Sequence, residues 1–170
     1  MRIKKNLYMW YKDFKNLSQV ELNLLASKIQ NNSYISFYSA LMGYCLYHLP
    51  PSSIQSVNFT RTLEVNMKDR SWKFYKFPKK YYFGFQNTEL GYNLAEPEKA
   101  IVDLIYLKSL GKHFDFMKHI NIEHLSQEKM LKYAEIFPKR TQKLLKIFIK
   151  FAPKKSRTLL KDDDYDENDL

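Results

Sequence analysis

The chain has a single cysteine, Cys45, among 170 residues, which excludes an internal disulfide and a cysteine-built zinc site. Glycine is scarce at 4 and proline at 6, which excludes a collagen-like or low-complexity chain and leaves little from which to build a phosphate-cradling loop. No apolar run approaches the ~20 residues of a membrane-spanning helix. The basic start Met1-Arg2-Ile3-Lys4-Lys5 has no long apolar segment behind it through Asp13, so no signal peptide is expected and the expected location is cytoplasmic. Walker, G-x-G-x-x-G and G-x-S-x-G motifs are absent. The histidines, His48, His113, His119 and His124, never stand at the i, i+4 spacing of a helical zinc site. Glu98 and Asp103 lie about 140° apart around a helix and do not converge as a carboxylate pair. The expectation is a protein that is not an enzyme, with no catalytic residue, no metal and no cofactor.

What is present is a core-forming composition and an excess of positive charge. Hydrophobic residues make up 45% and aromatics 16%. Lys and Arg number 28 against 18 Asp and Glu, a net charge of +10. The last ten residues hold Lys161 against six acids, so the body of the chain is more basic than the total. Such a body is attracted to polyanions, and an acidic tail competes for the same surface. Lysine greatly outnumbers arginine beside many Asn, Ile, Tyr and Phe, which is also what an AT-rich coding sequence produces. Arginine is the better reader of bases and phosphates.

Patterning along the chain predicts an α+β fold. Arg2 to Tyr11 is short, basic and aromatic, and reads as a strand. Leu17 to Gln30 reads as a helix opened by an S-x-x-E capping box, Ser18 with Glu21. A second helix fits Ser36 to His48, with Ser36 as N-cap, Cys45 on its apolar face and Pro50-Pro51 as the stop. Period-two alternation then marks strands around Val57 and Phe59, Leu63 to Met67, Trp72 and Phe74, and Leu90 to Leu94, with Lys68-Asp69-Arg70 as a hairpin turn. Glu96-Pro97-Glu98 opens a helix, with Pro at the first helical position, and Gly111 closes it. Further helices are expected over His113–Ile120, Ser126–Phe137 and Lys139–Ala152. The expected architecture is an antiparallel sheet of about four or five strands, packed by N-terminal helices and a C-terminal helical group. The motif helices at 36–48 and 96–110 should pack on the sheet and on each other.

Two features point to nucleic acid. On the last helix, Lys139, Lys143, Lys146 and Lys150 step by 4, 3 and 4 and fall on one face, within a ~60° sector, widened by Arg140. Leu144, Leu145, Phe148 and Phe151 take the other side. The ridge either tracks phosphates or is the solvated face of an ordinary amphipathic helix. In Trp72 to Phe83, Lys73, Lys76, Lys79 and Lys80 interleave with aromatic residues. That stretch either stacks single-stranded bases or is a strand pair with core aromatics and edge-protecting lysines.

Three segments in order resemble a known family. Ser33-Tyr34-Ile35-Ser36-Phe37-Tyr38-Ser39-Ala40-Leu41 resembles a helix start of the AbiEi-type antitoxins. Val57-Asn58-Phe59-Thr60-Arg61-Thr62 resembles the strand that follows it. Ala95-Glu96-Pro97-Glu98-Lys99-Ala100-Ile101-Val102-Asp103 resembles the family's Pro-Glu-Lys-Ala helix start. The resemblance spans about residues 33–110, and more loosely reaches 152. It implies an antitoxin of a bacterial abortive-infection (type IV) toxin–antitoxin system. Such a protein counteracts a nucleotidyltransferase toxin, without needing a stable complex with it, and is also described as a transcriptional regulator of phage-defence operons. The family's operator-binding winged helix needs roughly 60–80 residues, whereas Arg2 to Tyr8 resembles only the last strand of its wing. The expected organisation is therefore 1–16 as a wing remnant or linker, 17–157 as the antitoxin domain, standing alone or cut from its winged helix, and 158–170 as an acidic disordered tail. Ser36, Ser39, Pro97, Glu98, Lys99 and Asp103 carry over as motif positions, with structural roles as caps and ion-pair partners. The expected partners are nucleic acid, as operator DNA or the toxin's RNA target, and the toxin itself. The other readings are a module that sequesters a toxin directly and an unrelated basic nucleic-acid-binding domain.

Overall fold

The computed structural model describes residues 2–4, 7–8, 14–49, 51–112 and 120–152. A small antiparallel pair, β1 (Arg2–Lys4) and β2 (Leu7–Tyr8), comes first. Helix α1 (Gln19–Ile29) starts at the expected capping box: the Glu21 N–H donates to Ser18 Oγ at 3.3 Å, and the Ser18 N–H donates to Glu21 Oε2 at 2.8 Å. Strand β3 (Ser33–Ile35) runs almost directly into α2 (Phe37–Gly43), and the buried Phe37 takes a left-handed φ of 56° at the junction.

Helix α2 is shorter than its sequence suggests. Cys45 adopts a φ of 55° just past its end, so the helix stops before Pro50-Pro51, and Cys45 is exposed instead of lying in the core. Strands β4 (Ile54–Asn58), β5 (Leu63–Met67) and β6 (Arg70–Lys76) follow, then a 3₁₀ turn at Lys79–Tyr81, β7 (Phe85–Asn87) and β8 (Asn93–Ala95). Three helices complete the described chain: α3 (Pro97–Ser109), α4 (Gln127–Ala134) and α5 (Lys139–Phe151). Pro97 fills the first helical position of α3, and Gly111 follows its end with a φ of 84°. The Lys129 N–H donates to the N-cap Ser126 Oγ of α4 at 3.1 Å. The expected helix over His113–Ile120 and the acidic tail fall almost wholly outside the described residues. Among the described helices none is long and apolar enough to cross a membrane.

The class is α+β, with a six-stranded mixed sheet in the order β5-β6-β4-β3-β8-β7. Strands β3 and β4 form an antiparallel centre. Each has a parallel neighbour, β8 beside β3 and β6 beside β4, and each neighbour pairs antiparallel with an edge strand, β7 or β5. The sheet exceeds four or five antiparallel strands because β3 and β7 are three residues each, too short to show a period of two. The strand expected from Leu90 is confined to 93–95, and Leu90 is exposed in the preceding turn.

Alternation gives the sheet two distinct faces. One face carries Trp72 and Phe74 under α1, where the Trp72 indole N–H donates to the Leu22 carbonyl at 3.1 Å. The other carries Tyr34, Gln55, Lys73 and Tyr75. Helices α2 and α3 pack together against its middle, with Phe37 meeting Tyr75 edge-on at 5.1 Å. Helices α4 and α5 pack on α3, and the Ser109 and Thr141 hydroxyls meet at 2.9 Å.

A polar clamp ties α4 to the start of α3. Glu96 accepts from the Tyr133 hydroxyl, from Lys129 Nζ at 3.1 Å and from Gln86 Nε2 at 3.3 Å. Burial alone would raise the Glu96 carboxyl, but these donors outweigh it and hold it below its ordinary 4.5. Burial, then the hydrogen bond and charge of Glu96, push Tyr133 up to about 12. The signs are opposite. The stability from Glu96 is complete above pH 4.5 and is lost as pH falls through its lower folded value. The stability from Tyr133 is complete below pH 10.0 and is lost as pH rises through about 12. In thermal melts followed by circular dichroism across pH, Glu96→Gln should shallow the acid limb of the Tm profile and Tyr133→Phe the alkaline limb. Unchanged limbs in both variants would refute the clamp.

Candidate functional site

The motif residues meet in the interior. Lys99 and Asp103, one turn apart on α3, form an ion pair with both side chains 0% exposed. Asp103 Oδ2 accepts from the Tyr34 hydroxyl at 2.9 Å and from Ser36 Oγ at 2.8 Å, while Lys99 Nζ also donates to the Tyr34 oxygen at 2.9 Å. Rings surround the ammonium: its Nζ lies 5.0 Å from the centroid of Phe83, 5.3 Å from Tyr34 and 5.5 Å from Phe137. Burial drives Asp103 up and Lys99 down, and each partner partly offsets the shift of the other. Burial and the Asp103 charge hold the Tyr34 phenol well above its ordinary value, so it remains a neutral donor.

Ser36 stands at the N-cap position of α2, but its hydroxyl serves Asp103 and makes no cap bond. Ser39 lies one turn on, where its Oγ accepts from the Gln55 N–H at 2.9 Å. Glu98 faces α4, accepting from the Ser126 N–H at 3.3 Å and pairing with Lys129 at 3.5 Å. Pro97 only starts the helix. Of the six motif positions, Ser36, Lys99 and Asp103 therefore converge. Tyr34 joins them unforeseen, although its place two residues before Ser36 on the first resembling segment was the available signal. Asn58, from the second segment, is buried and shapes the following turn, its Oδ1 accepting from the Thr60 and Arg61 N–H groups at 2.8 and 2.9 Å.

The basic residues lie on the surface. Lys139, Arg140, Lys143, Lys146 and Lys150 are exposed along α5, while Thr141, Leu145 and Phe148 face inward. Phe151, expected on the inner side, is 67% exposed at the end of the helix. Among the described residues none of these cations forms a salt bridge. Lys76, Lys79 and Lys80 are exposed as well. Tyr81 stacks on Phe137 at 4.1 Å, which brings the Lys79–Lys80 turn beside the start of α5. Lys73 lies apart, on the open face of β6, 3.6 Å from Glu64. The aromatics Trp72, Phe74, Phe77 and Tyr81 are core residues, so they are not free to stack bases.

The buried pair generates a sharp expectation. Removing either partner leaves the other charge stranded in the interior, which costs about 3–5 kcal/mol. Lys99→Met and Asp103→Leu should each lower stability by about that much in chemical denaturation, and the double variant by clearly less than the sum. Additive losses would show that the two groups are not coupled.

Comparison of the chain with protein-family models, with curated proteins and with solved structures gives no match in any of the three.

Proposed function

We propose that this chain is the antitoxin-type domain of an AbiEi-like protein, which counteracts a nucleotidyltransferase toxin without itself performing catalysis. In this reading it acts in the cytoplasm, and α5 binds nucleic acid, either operator DNA or the RNA that the toxin modifies. The observation that carries the reading is the exposed row Lys139, Lys143, Lys146 and Lys150 with Arg140 beside it. The Lys79–Lys80 turn, held next to the start of α5 by the Tyr81–Phe137 stack, extends the same basic surface. The resemblance itself is supported by the interior: Ser36 and Tyr34 of the first resembling segment meet Lys99 and Asp103 of the third in one buried cluster. Polar residues that meet this way are the ones a fold-specifying motif would retain.

Phosphate contacts release counterions, so log K falls with log salt by about 0.9 for each contact on a duplex and about 0.7 on a single strand. Changing Lys143, Lys146 and Lys150 together to Glu should weaken nucleic-acid binding strongly and lower the salt slope by about 2–3. It should also abolish protection in cells that express the toxin. Unchanged affinity would reduce the ridge to a solvated face.

One observation favours direct sequestration instead. Ile147 is 46% and Phe151 67% exposed, one turn apart beside the lysines, as an apolar contact strip would be. Size exclusion of the co-expressed pair separates the readings: a stable 1:1 complex favours sequestration, and separate elution favours action through nucleic acid.

A further inference from the structure

Helices α2 and α3 cover the middle of the sheet face that carries Tyr34. Beyond α2, strands β4, β6 and β5 place Gln55, Lys73 and Glu64 side by side in register. A groove of about 680 Å³ opens over them, walled by Tyr38 and Tyr47 and reached by Lys112. That volume lies within the range of about 300–1,000 Å³ typical of small-molecule sites.

Three properties of the groove point to one class of ligand. The first is its aromatic wall. The Tyr38 and Tyr47 rings pack on each other at 4.4 Å, and the half-buried Tyr75 adds another ring to the lining. A planar base can stack on such a wall without ordering it first. The second is a set of buried polar groups. Gln55 Oε1 accepts from the Tyr38 N–H at 3.2 Å, which fixes the amide and leaves its NH₂ end as the donor. Ser53, 4% exposed, has a buried hydroxyl with no hydrogen-bond partner among the described residues. A buried hydroxyl of this kind calls for a partner, which a ligand atom would supply. The third is charge. Two ammonium groups, Lys73 and Lys112, stand against the single carboxylate of Glu64, and the Lys73–Glu64 contact is a loose 3.6 Å.

A purely apolar ligand leaves the polar groups unused, and a cation meets an excess of ammonium. A flat heterocycle with a phosphate uses all of them. We propose that this groove binds a nucleoside monophosphate, its base on the tyrosine wall and hydrogen-bonded by Gln55 and Ser53, its phosphate held by Lys73 and Lys112. The same chemistry is offered by a free nucleotide and by the terminal nucleotide of a strand. The inference goes beyond the α5 reading and does not rest on it, because one phosphate needs no ridge.

The test is calorimetric titration of the full chain with AMP, GMP, CMP and UMP, with adenosine and ribose 5-phosphate as half-ligands, and with a 5′-phosphorylated single-stranded pentanucleotide. At least one monophosphate is expected to bind with Kd below about 1 mM. The half-ligands should bind about tenfold or more weaker, since each lacks either the stacking or the phosphate. Tyr47→Ala and Lys73→Ala, both at partly exposed positions and checked by thermal melts, should each weaken monophosphate binding about tenfold. The three-glutamate α5 variant should leave it within about twofold, since a single phosphate does not reach along a helix. Loss of pentanucleotide binding in the groove variants identifies a strand end as the source, and binding of monophosphates alone identifies the free nucleotide; both support the site. No binding of any monophosphate at millimolar concentration overturns the proposal. So does binding that both groove variants leave unchanged, or binding that only the α5 variant removes. The last result would leave the α5 reading standing.

Discussion

Two opposite charges shut away from water persist only when they are paired and hydrogen-bonded, and the Lys99–Asp103 pair imposes that demand on several elements of the fold. Asp103 needs Tyr34 from β3 and Ser36 from the start of α2. Lys99 needs a slot for its aliphatic stem, and that slot exists because residue 84 is glycine. A Cβ there would sit 2.9 Å from Lys99 Cγ, and the φ of 70° already disfavours a side chain. The Gly84 carbonyl in turn accepts from the Glu96 N–H at 3.0 Å, just before α3 begins. One ion pair thus sets how α3 crosses the sheet, how β3 leads into α2 and how closely the chain before β7 approaches.

Local signals were legible where a residue acts within one turn or one hairpin. The capping box at Ser18 and Glu21, Pro97 as first residue of α3 and Gly111 behind it all depend on neighbours in sequence and stand where the pattern puts them, and the turn expected at Lys68-Asp69-Arg70 is there but two residues long, with Arg70 already in β6. Structure that depends on distant partners was less legible. Strand β3 shows no alternation because both of its faces are buried, as in the centre of any covered sheet. Helix α2 looked longer because Tyr44 and Cys45 continue its apolar run, yet Cys45 turns left-handed and leaves the core. The order Lys99 before Asp103 is the weaker one on an exposed helix. It is used here because burial and the Tyr34 hydroxyl, not the helix, decide the geometry.

The two charge systems of the molecule divide by location. Inside, Lys99, the one buried lysine among the described residues, is held by Asp103, the Tyr34 hydroxyl and the surrounding rings and has no access to solvent. Outside, the lysines of α5 and of the Lys79–Lys80 turn extend into water. The legibility of the sites follows the same division. The α5 ridge is a periodicity of 4, 3 and 4 and needs no fold to be seen. The groove over β4, β6 and β5 draws on Tyr38, Tyr47, Gln55, Lys73 and Lys112, which lie far apart in sequence and come together only through strand pairing and the end of α3.

The separation of the cluster along the chain bears on how the molecule is made. Tyr34 waits 65 residues for Lys99 and 69 for Asp103. At about 5–20 residues per second of synthesis, that is roughly 3–14 s between the emergence of β3 from the ribosome and that of its α3 partners. In this interval α1 and α2 are already available to cover the sheet, and what the nascent chain lacks is α3, whose Asp103 alone accepts from both the Tyr34 and Ser36 hydroxyls.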